Sequence, residues 1–155
     1  MLDAIAASPV AALLRDSAVI YPLVNALHII SIALLLGAIA TLDLRLLGLF
    51  SRQSAAALAP ALIRVAAAGL GGAVVTGALL FSTRPATYLA NPAFLTKLAL
   101  LGLGLINVAI LRFNPAWARA TDGGPIAPSV RVSALVSLAV WLGAILAGRW
   151  IGFLE

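Results

Sequence analysis

The chain has 155 residues, of which 63% are hydrophobic and 10% charged, against roughly 25% charged in an average soluble domain. That balance, with a mean hydropathy of +1.14, excludes an ordinary water-soluble globular protein, and it excludes disorder, because disordered chains are polar and charge-rich. The formal net charge of +5 suits arginines meeting anionic lipid headgroups, while the lack of any basic recognition module excludes nucleic acid as a partner.

At the amino end, Ser8-Pro9 reads as a helix cap and first turn, followed by apolar Val10, Leu13 and Leu14 and then Arg15-Asp16. This predicts a short helix over 3–15 lying in the membrane interface. A cleaved signal peptide is not expected, since Asp3 comes first and another apolar run follows at once. The absence of cysteine excludes disulfides, and no N-terminal acylation pattern is present.

From Ser17 to Leu42 the chain carries no Asp, Glu, Lys or Arg, and further uncharged stretches run Val65 to Thr83, Leu98 to Leu111 and Val132 to Gly148. A helix needs roughly 20 apolar residues to cross a hydrocarbon core of about 30 Å. Proline is tolerated in a first helical turn, where its missing N–H has no partner to lose. Pro22, Pro60, Asn91-Pro92 and Pro128-Ser129 stand where four such helices would begin. The expected spans are 18–43, 56–82, 92–113 and 128–152, within one membrane domain over 1–155. The runs are continuously apolar and do not alternate with period two, which argues against a β-barrel. The fold class is all-α, an integral membrane four-helix bundle with a short N-terminal interfacial helix.

The loops set the expected orientation through their Lys/Arg bias. Arg45, Arg52, Arg64, Arg112, Arg119 and Arg131 fall on one side; Arg15, Arg84, Lys97 and Arg149, with Asp3, Asp16 and Glu155, fall on the other. The richer side is the cytoplasmic one, which places both termini in the periplasm of a bacterial inner membrane.

Polar residues inside a span are costly and face the bundle or a cavity, so they mark candidate functional positions. At 100° per residue, Tyr21, Asn25, His28 and Ile32 share one stripe of the first span, with Ser31 beside it. His28 is the only histidine. The second span carries Gly69, Ala73 and Gly77 at four-residue spacing, a surface that lets helices approach closely, and Thr76 lies beside it. The third presents Lys97 and Gly104, with Asn107 a quarter turn aside, expected to hydrogen-bond a neighbouring helix. The fourth aligns Ser133, Ser137 and Trp141. Trp117 and Trp150 are expected to anchor at the interface. Asp43, Arg45 and Arg64 are expected to form an exposed charge network at a helix end, where Asp43 would balance one arginine, with a buried partner or anion site as the alternative; no acid is expected within the interior of any span.

The absences narrow the chemistry. There is no CxxC, no HExxH and no Gly-rich phosphate loop, and Met1 is the single methionine. A zinc or copper site within one chain would lack ligands, and proton transport or hydrolysis driven by intramembrane carboxylates is not expected. His28 keeps two readings: a hydrogen-bonded interhelical residue, or a ligand.

The segment Tyr21-Pro22-Leu23-Val24-Asn25-Ala26-Leu27-His28-Ile29-Ile30-Ser31, with Gly37, Asp43-Leu44-Arg45-Leu46-Leu47-Gly48 and the later Asn91-Pro92-Ala93-Phe94-Leu95-Thr96-Lys97-Leu98, resembles an uncharacterised family of small bacterial four-span membrane proteins. More distantly, His28, Gly37, Arg45 and Lys97 are similar in order to residues of the haem-binding membrane protoporphyrinogen oxidases, and the chain resembles the copper-resistance D proteins. The resemblance implies haem b as candidate cofactor, with His28 as the metal ligand and Asn25, Tyr21, Ser31, Lys97 and Arg45 as surrounding residues. With one histidine, a two-His haem within one chain is excluded, although a symmetric dimer would supply a second. The expected function is therefore a haem-b-binding or redox-associated membrane protein. The alternatives are a non-catalytic accessory subunit of a larger membrane complex and a binder of a small quinone-like lipophile. The lipid bilayer is the expected environment, with a homo-oligomer or a larger membrane complex as candidate assembly.

Overall fold

The structure, a computed structural model, describes residues 2–154, so that Met1 and Glu155 lie outside the described residues. Those residues form α1 (Leu2–Ala6), α2 (Pro9–Asp16), α3 (Ile20–Leu47), α4 (Ala55–Thr83), α5 (Pro85–Ala90), α6 (Pro92–Arg112), α7 (Pro115–Thr121) and α8 (Pro128–Trp150), closed by a 3-10 turn over Ile151–Phe153. No strand occurs among them. Four segments, α3, α4, α6 and Pro128–Phe153, are long and apolar enough to cross a membrane. At 1.5 Å per residue α3 extends about 42 Å, so its ends run past a hydrocarbon core of about 30 Å. The protein is an integral membrane protein, an all-α bundle.

Local chemistry fixes where the helices begin and end. The first backbone N–H groups of a helix lack partners within it, and side-chain oxygens satisfy them. Ser8 Oγ accepts from Ala11 N at 3.3 Å and Ser54 Oγ from Ala57 N at 3.3 Å. Asn91 Oδ1 takes both Ala93 N at 2.9 Å and Phe94 N at 3.3 Å, directly ahead of Pro92. Helix α3 stops at Gly48, where φ is +113°, a conformation that glycine adopts without a Cβ penalty. Gly48 N then bonds to Arg45 O at 3.2 Å and Leu49 N to Leu44 O at 3.0 Å, closing the last carbonyls.

The helices run up and down in turn. The closest backbone packing joins α3 to α4 and α6 to α8, and the two pairs meet along α3 and α8. Small residues set the α3–α4 approach: a Cβ added to Gly69 would stand 2.6 Å from Leu35 N and 2.8 Å from Ser31 O. Between α6 and α8, Asn107 Nδ2 donates to Ser133 O at 3.0 Å while Ser133 Oγ donates to Asn107 Oδ1 at 3.0 Å. Asn107 thus makes the interhelical bond expected of it. Elsewhere the long helices expose apolar side chains, such as Ile29, Val74, Val75 and Ile110, as lipid-facing surfaces do.

The two ends of the bundle are built differently. At the carboxyl end of α3, Leu46, Ala55, Ala59, Ala116, Trp117, Val130 and Ala134 form a buried cluster. Trp117, expected at the interface, is 5% exposed; α7 folds inward and packs against α4 and α8, so the indole fills the core. Trp150 is 55% exposed. At the amino end of α3, α2 buries Ala11 and Leu14. Arg15 Nη1 donates to Ala6 O at 2.8 Å and to Thr83 O at 3.3 Å, so a cation meets the carbonyl end of α4. Phe81, Tyr88 and Phe94 pack here with centroids 5.3 to 6.1 Å apart.

Candidate functional site

Helix α3 carries the polar stripe, and its close approach to α4 decides what His28 meets. The ring lies over Gly77, whose absent Cβ would stand 3.1 Å from His28 Cε1. His28 Nδ1 is 2.8 Å from Thr76 Oγ1, and the Thr76 hydroxyl lies 2.6 Å from Gly72 O, to which it donates. A hydroxyl has one proton. With that proton on Gly72 O, the bond to the ring runs from Nδ1–H to Thr76 Oγ1, and in the neutral imidazole Nε2 keeps its lone pair. A histidine held through one nitrogen, with the other free to accept, is the arrangement that metal-ligating histidines share.

The surrounding candidates divide. Ser31 sits one turn along α3, its hydroxyl donating to Leu27 O at 2.7 Å and facing Gly72, where an added Cβ would be 2.5 Å from Ser31 Oγ. Lys97 of α6 lays its stem along α8 at Gly148, with Cδ 3.4 Å and Nζ 3.6 Å from the position of an added Cβ. The structure therefore brings Ser31 to His28 and places Lys97 at the same end of the bundle, on the α6–α8 seam. Asn25 and Tyr21 are exposed on α3. Arg45 lies 17 residues from His28 along α3, about 26 Å at the helical rise, and its Nε donates to Gln53 O in the α3–α4 connection. It does not join the His28 region.

Thr76, which the sequence sets beside the small-residue surface, is the side chain that His28 Nδ1 meets. The available signal was a mid-span hydroxyl flanked by glycines that permit close approach. Among the described residues no group of three or more His, Cys, Asp or Glu could hold a metal ion, so protein ligation of a metal at this site rests on His28.

Asp43 requires a correction. It was expected at a helix exit, in an exposed network with Arg45 and Arg64, and no acid was expected inside a span. It lies inside α3, is 5% exposed, and its Oδ2 has no hydrogen-bond partner. Arg64 points outward and bonds its own helix, Nε to Pro60 O at 3.1 Å. The cause is the cover that α8 and the α7 core place over the last turns of α3, which local sequence cannot report. The Ser137 hydroxyl of α8 lies beside the carboxyl group, and Ser137 is itself 5% exposed. One turn further along α8, Trp141 is 4% exposed with Nε1 also lacking a partner.

Neither a search of curated proteins nor a search of solved structures gives a match to this chain. A family match covers residues 14–154, nearly the whole bundle including the His28 stripe, Asp43 and Lys97. The chain belongs to that family, described as a family of unknown function (DUF6644).

Proposed function

We propose that this protein is a haem-b-binding, redox-associated membrane protein of a bacterial inner membrane, with His28 as an axial ligand. The observation that carries this reading is the 2.8 Å contact of His28 Nδ1 with the Thr76 hydroxyl, whose own proton goes to Gly72 O; with the ring proton on Nδ1, Nε2 would be the lone-pair donor. Lone imidazole ligation holds haem iron in several protein classes. His28 is the residue of this chain that would hold the haem iron, and a two-fold pair of chains would provide a second histidine. Lys97 supplies a cation at the same end of the bundle, suited to a carboxylate substituent, and Gly77 and Ser31 shape the wall behind the imidazole. Haem would supply reversible one-electron chemistry at iron; the chain's part is to orient the imidazole, keep its tautomer and exclude water. The arginine-rich loops support an orientation with both termini in the periplasm.

A second reading uses the same groups differently. An unprotonated Nε2 and the Lys97 ammonium are an acceptor and a donor suited to the two oxygens of a quinone-like lipophile. A third makes the chain an accessory subunit of a larger membrane complex.

The test is the absorption spectrum of the full chain purified in mild detergent after expression with added haem precursor, oxidised and reduced, beside His28→Ala and Thr76→Val. A near-stoichiometric Soret band lost in His28→Ala and altered in Thr76→Val is expected, and one haem per two chains would fit the two-fold pair. A colourless protein refutes the haem reading. Extractable quinone that depends on His28 and Lys97 then supports the second reading, and co-purifying subunits support the third.

A further inference from the structure

Asp43, the one acidic side chain buried among the described residues, has no place in the His28 reading. Asp43 lies 15 residues from His28 on α3, about 22 Å along the axis. It sits four residues from Leu47, the last residue of α3, hence about 6 Å from that end. Leu46, one turn further on, belongs to the buried apolar cluster with Ala55, Ala59, Trp117, Val130 and Ala134. The carboxyl group is 5% exposed and Oδ2 has no partner.

The cations of this end are engaged or turned outward. Arg45 on α3 is committed to Gln53 O and Arg64 on α4 to Pro60 O, and Arg52 in the α3–α4 connection, Arg112 on α6, Arg119 on α7 and Arg131 on α8 are exposed. His28 and Lys97 belong to the opposite end. The side chain facing Asp43 is the Ser137 hydroxyl, which is neutral.

An ionised carboxylate removed from water, without a cation and with an unbonded oxygen, carries a desolvation penalty that one hydroxyl does not offset. A carboxylic acid in the same place is a neutral donor and acceptor, able to share a hydrogen bond with Ser137 and to leave its second oxygen poorly solvated at far smaller cost. Intramembrane ionisable residues of this kind hold or pass protons. We propose that Asp43, facing Ser137 across the α3–α8 seam, is a proton-binding site inside the bundle, loaded and unloaded from the nearby end that α7 covers. The ligand is a proton: it adds to a carboxylate oxygen to form the O–H bond and leaves to water at that end, and no electron is transferred.

The test is infrared spectroscopy of the full chain in lipid nanodiscs near neutral pH, with carbon-13 aspartate incorporated. The other aspartates, Asp3, Asp16 and Asp122, are solvent-exposed, and Asp43→Asn separates the Asp43 band from theirs. The expected result is the C=O stretch of one protonated aspartic acid per chain. It should shift with the label and on deuterium exchange, disappear in Asp43→Asn, and persist on adding sodium chloride at constant pH. Asp43→Asn should retain the helical circular dichroism, because an amide replaces a neutral acid closely. If that variant does not fold, Asp43→Glu serves: the labelled band should vanish and an unlabelled acid band take its place. Carboxylate bands alone in the wild type, or a carbon-13-labelled acid band surviving in either substitution, would overturn the proposal. So would replacement of the acid band by a carboxylate band on adding sodium, which would make the site one for a metal cation.

Discussion

The close contact between α3 and α4 can be tested by adding one methyl group at two glycines of the same helix. At Gly69 an added Cβ would meet Leu35 N at 2.6 Å and Ser31 O at 2.8 Å, while at Gly71 nothing lies within 4 Å. Both substitutions to alanine gain the same helix propensity, about 0.8–1 kcal/mol in a peptide host. The clash at Gly69 is with backbone, which cannot swing aside as a side-chain tip can, so the two helices must separate locally. Overpacking of this kind costs about 1–3 kcal/mol. Gly71→Ala should therefore be neutral to stabilising, and Gly69→Ala less stable than it by about 1–3 kcal/mol, because the propensity terms cancel between them. The assay is reversible unfolding in mixed detergent micelles followed by circular dichroism, with both variants at equal protein-to-detergent ratio. Equal stability of the two, or greater stability of Gly69→Ala, would refute the backbone contact and the α3–α4 register that places Thr76 on His28.

Trp117→Ala should destabilise by about 3–5 kcal/mol, the cost of emptying a large core site, whereas Trp150→Ala, on an exposed residue, should change stability by no more than about 0.5 kcal/mol; the same unfolding assay ranks them. A double-mutant cycle on Asn107→Leu and Ser133→Ala should return a coupling near 0.6 kcal/mol, the average for interhelical polar pairs in a membrane protein. Zero coupling in that cycle would show that the Ser133 Oγ–Asn107 Oδ1 bond contributes nothing beyond packing, since the bond from Asn107 to Ser133 O is retained in Ser133→Ala.

What the sequence made legible follows from how far each signal reaches. Helix starts were readable because caps are local: Ser8-Pro9 and Asn91-Pro92 carry their own hydrogen-bond logic, and the oxygens accept where expected. The Asn107 bond was readable in kind, since an amide in a span needs a partner, although the choice of Ser133 needed the register of α8 on α6. Trp117 and Asp43 were misplaced for one shared reason. Each stands near a helix end, where local sequence suggests water or headgroups, and each is covered by an element distant in the chain. Trp117 is drawn into a core made from α3, α4 and α8, and Asp43 faces Ser137, 94 residues away in sequence. Thr76 was legible as a polar interruption, but its role required the depth at which Gly72 and Gly77 let α3 settle.

The two polar sites share α3 and nothing else. His28 bonds to a hydroxyl on α4 and Asp43 faces a hydroxyl on α8, while α4 and α8 make no close backbone contact among the described residues. Among the described residues no chain of side-chain hydrogen bonds runs between the sites: Ser31 and Thr41, the hydroxyls between them on α3, turn back onto Leu27 O and Gly37 O of their own helix. Energetic coupling between them therefore has to pass through the placement of α3 against its two neighbours, since coupling needs a physical element that both sites bias. The α3–α4 seam is poorly suited to move, because Gly69 brings backbone against backbone there and any slide meets Leu35 and Ser31 directly. On the α3–α8 seam Asp43 faces the Ser137 hydroxyl, one turn from the apolar packing of Leu46 with Val130 and Ala134. Loss of a proton at Asp43 would put an uncompensated charge into that seam, and the cheapest relief is to admit water there by loosening α8 from α3. The α3–α4 pair, with His28 and Thr76, would stay intact, so a proton event would reach Lys97 through α8, along which its stem lies, before it reached the imidazole.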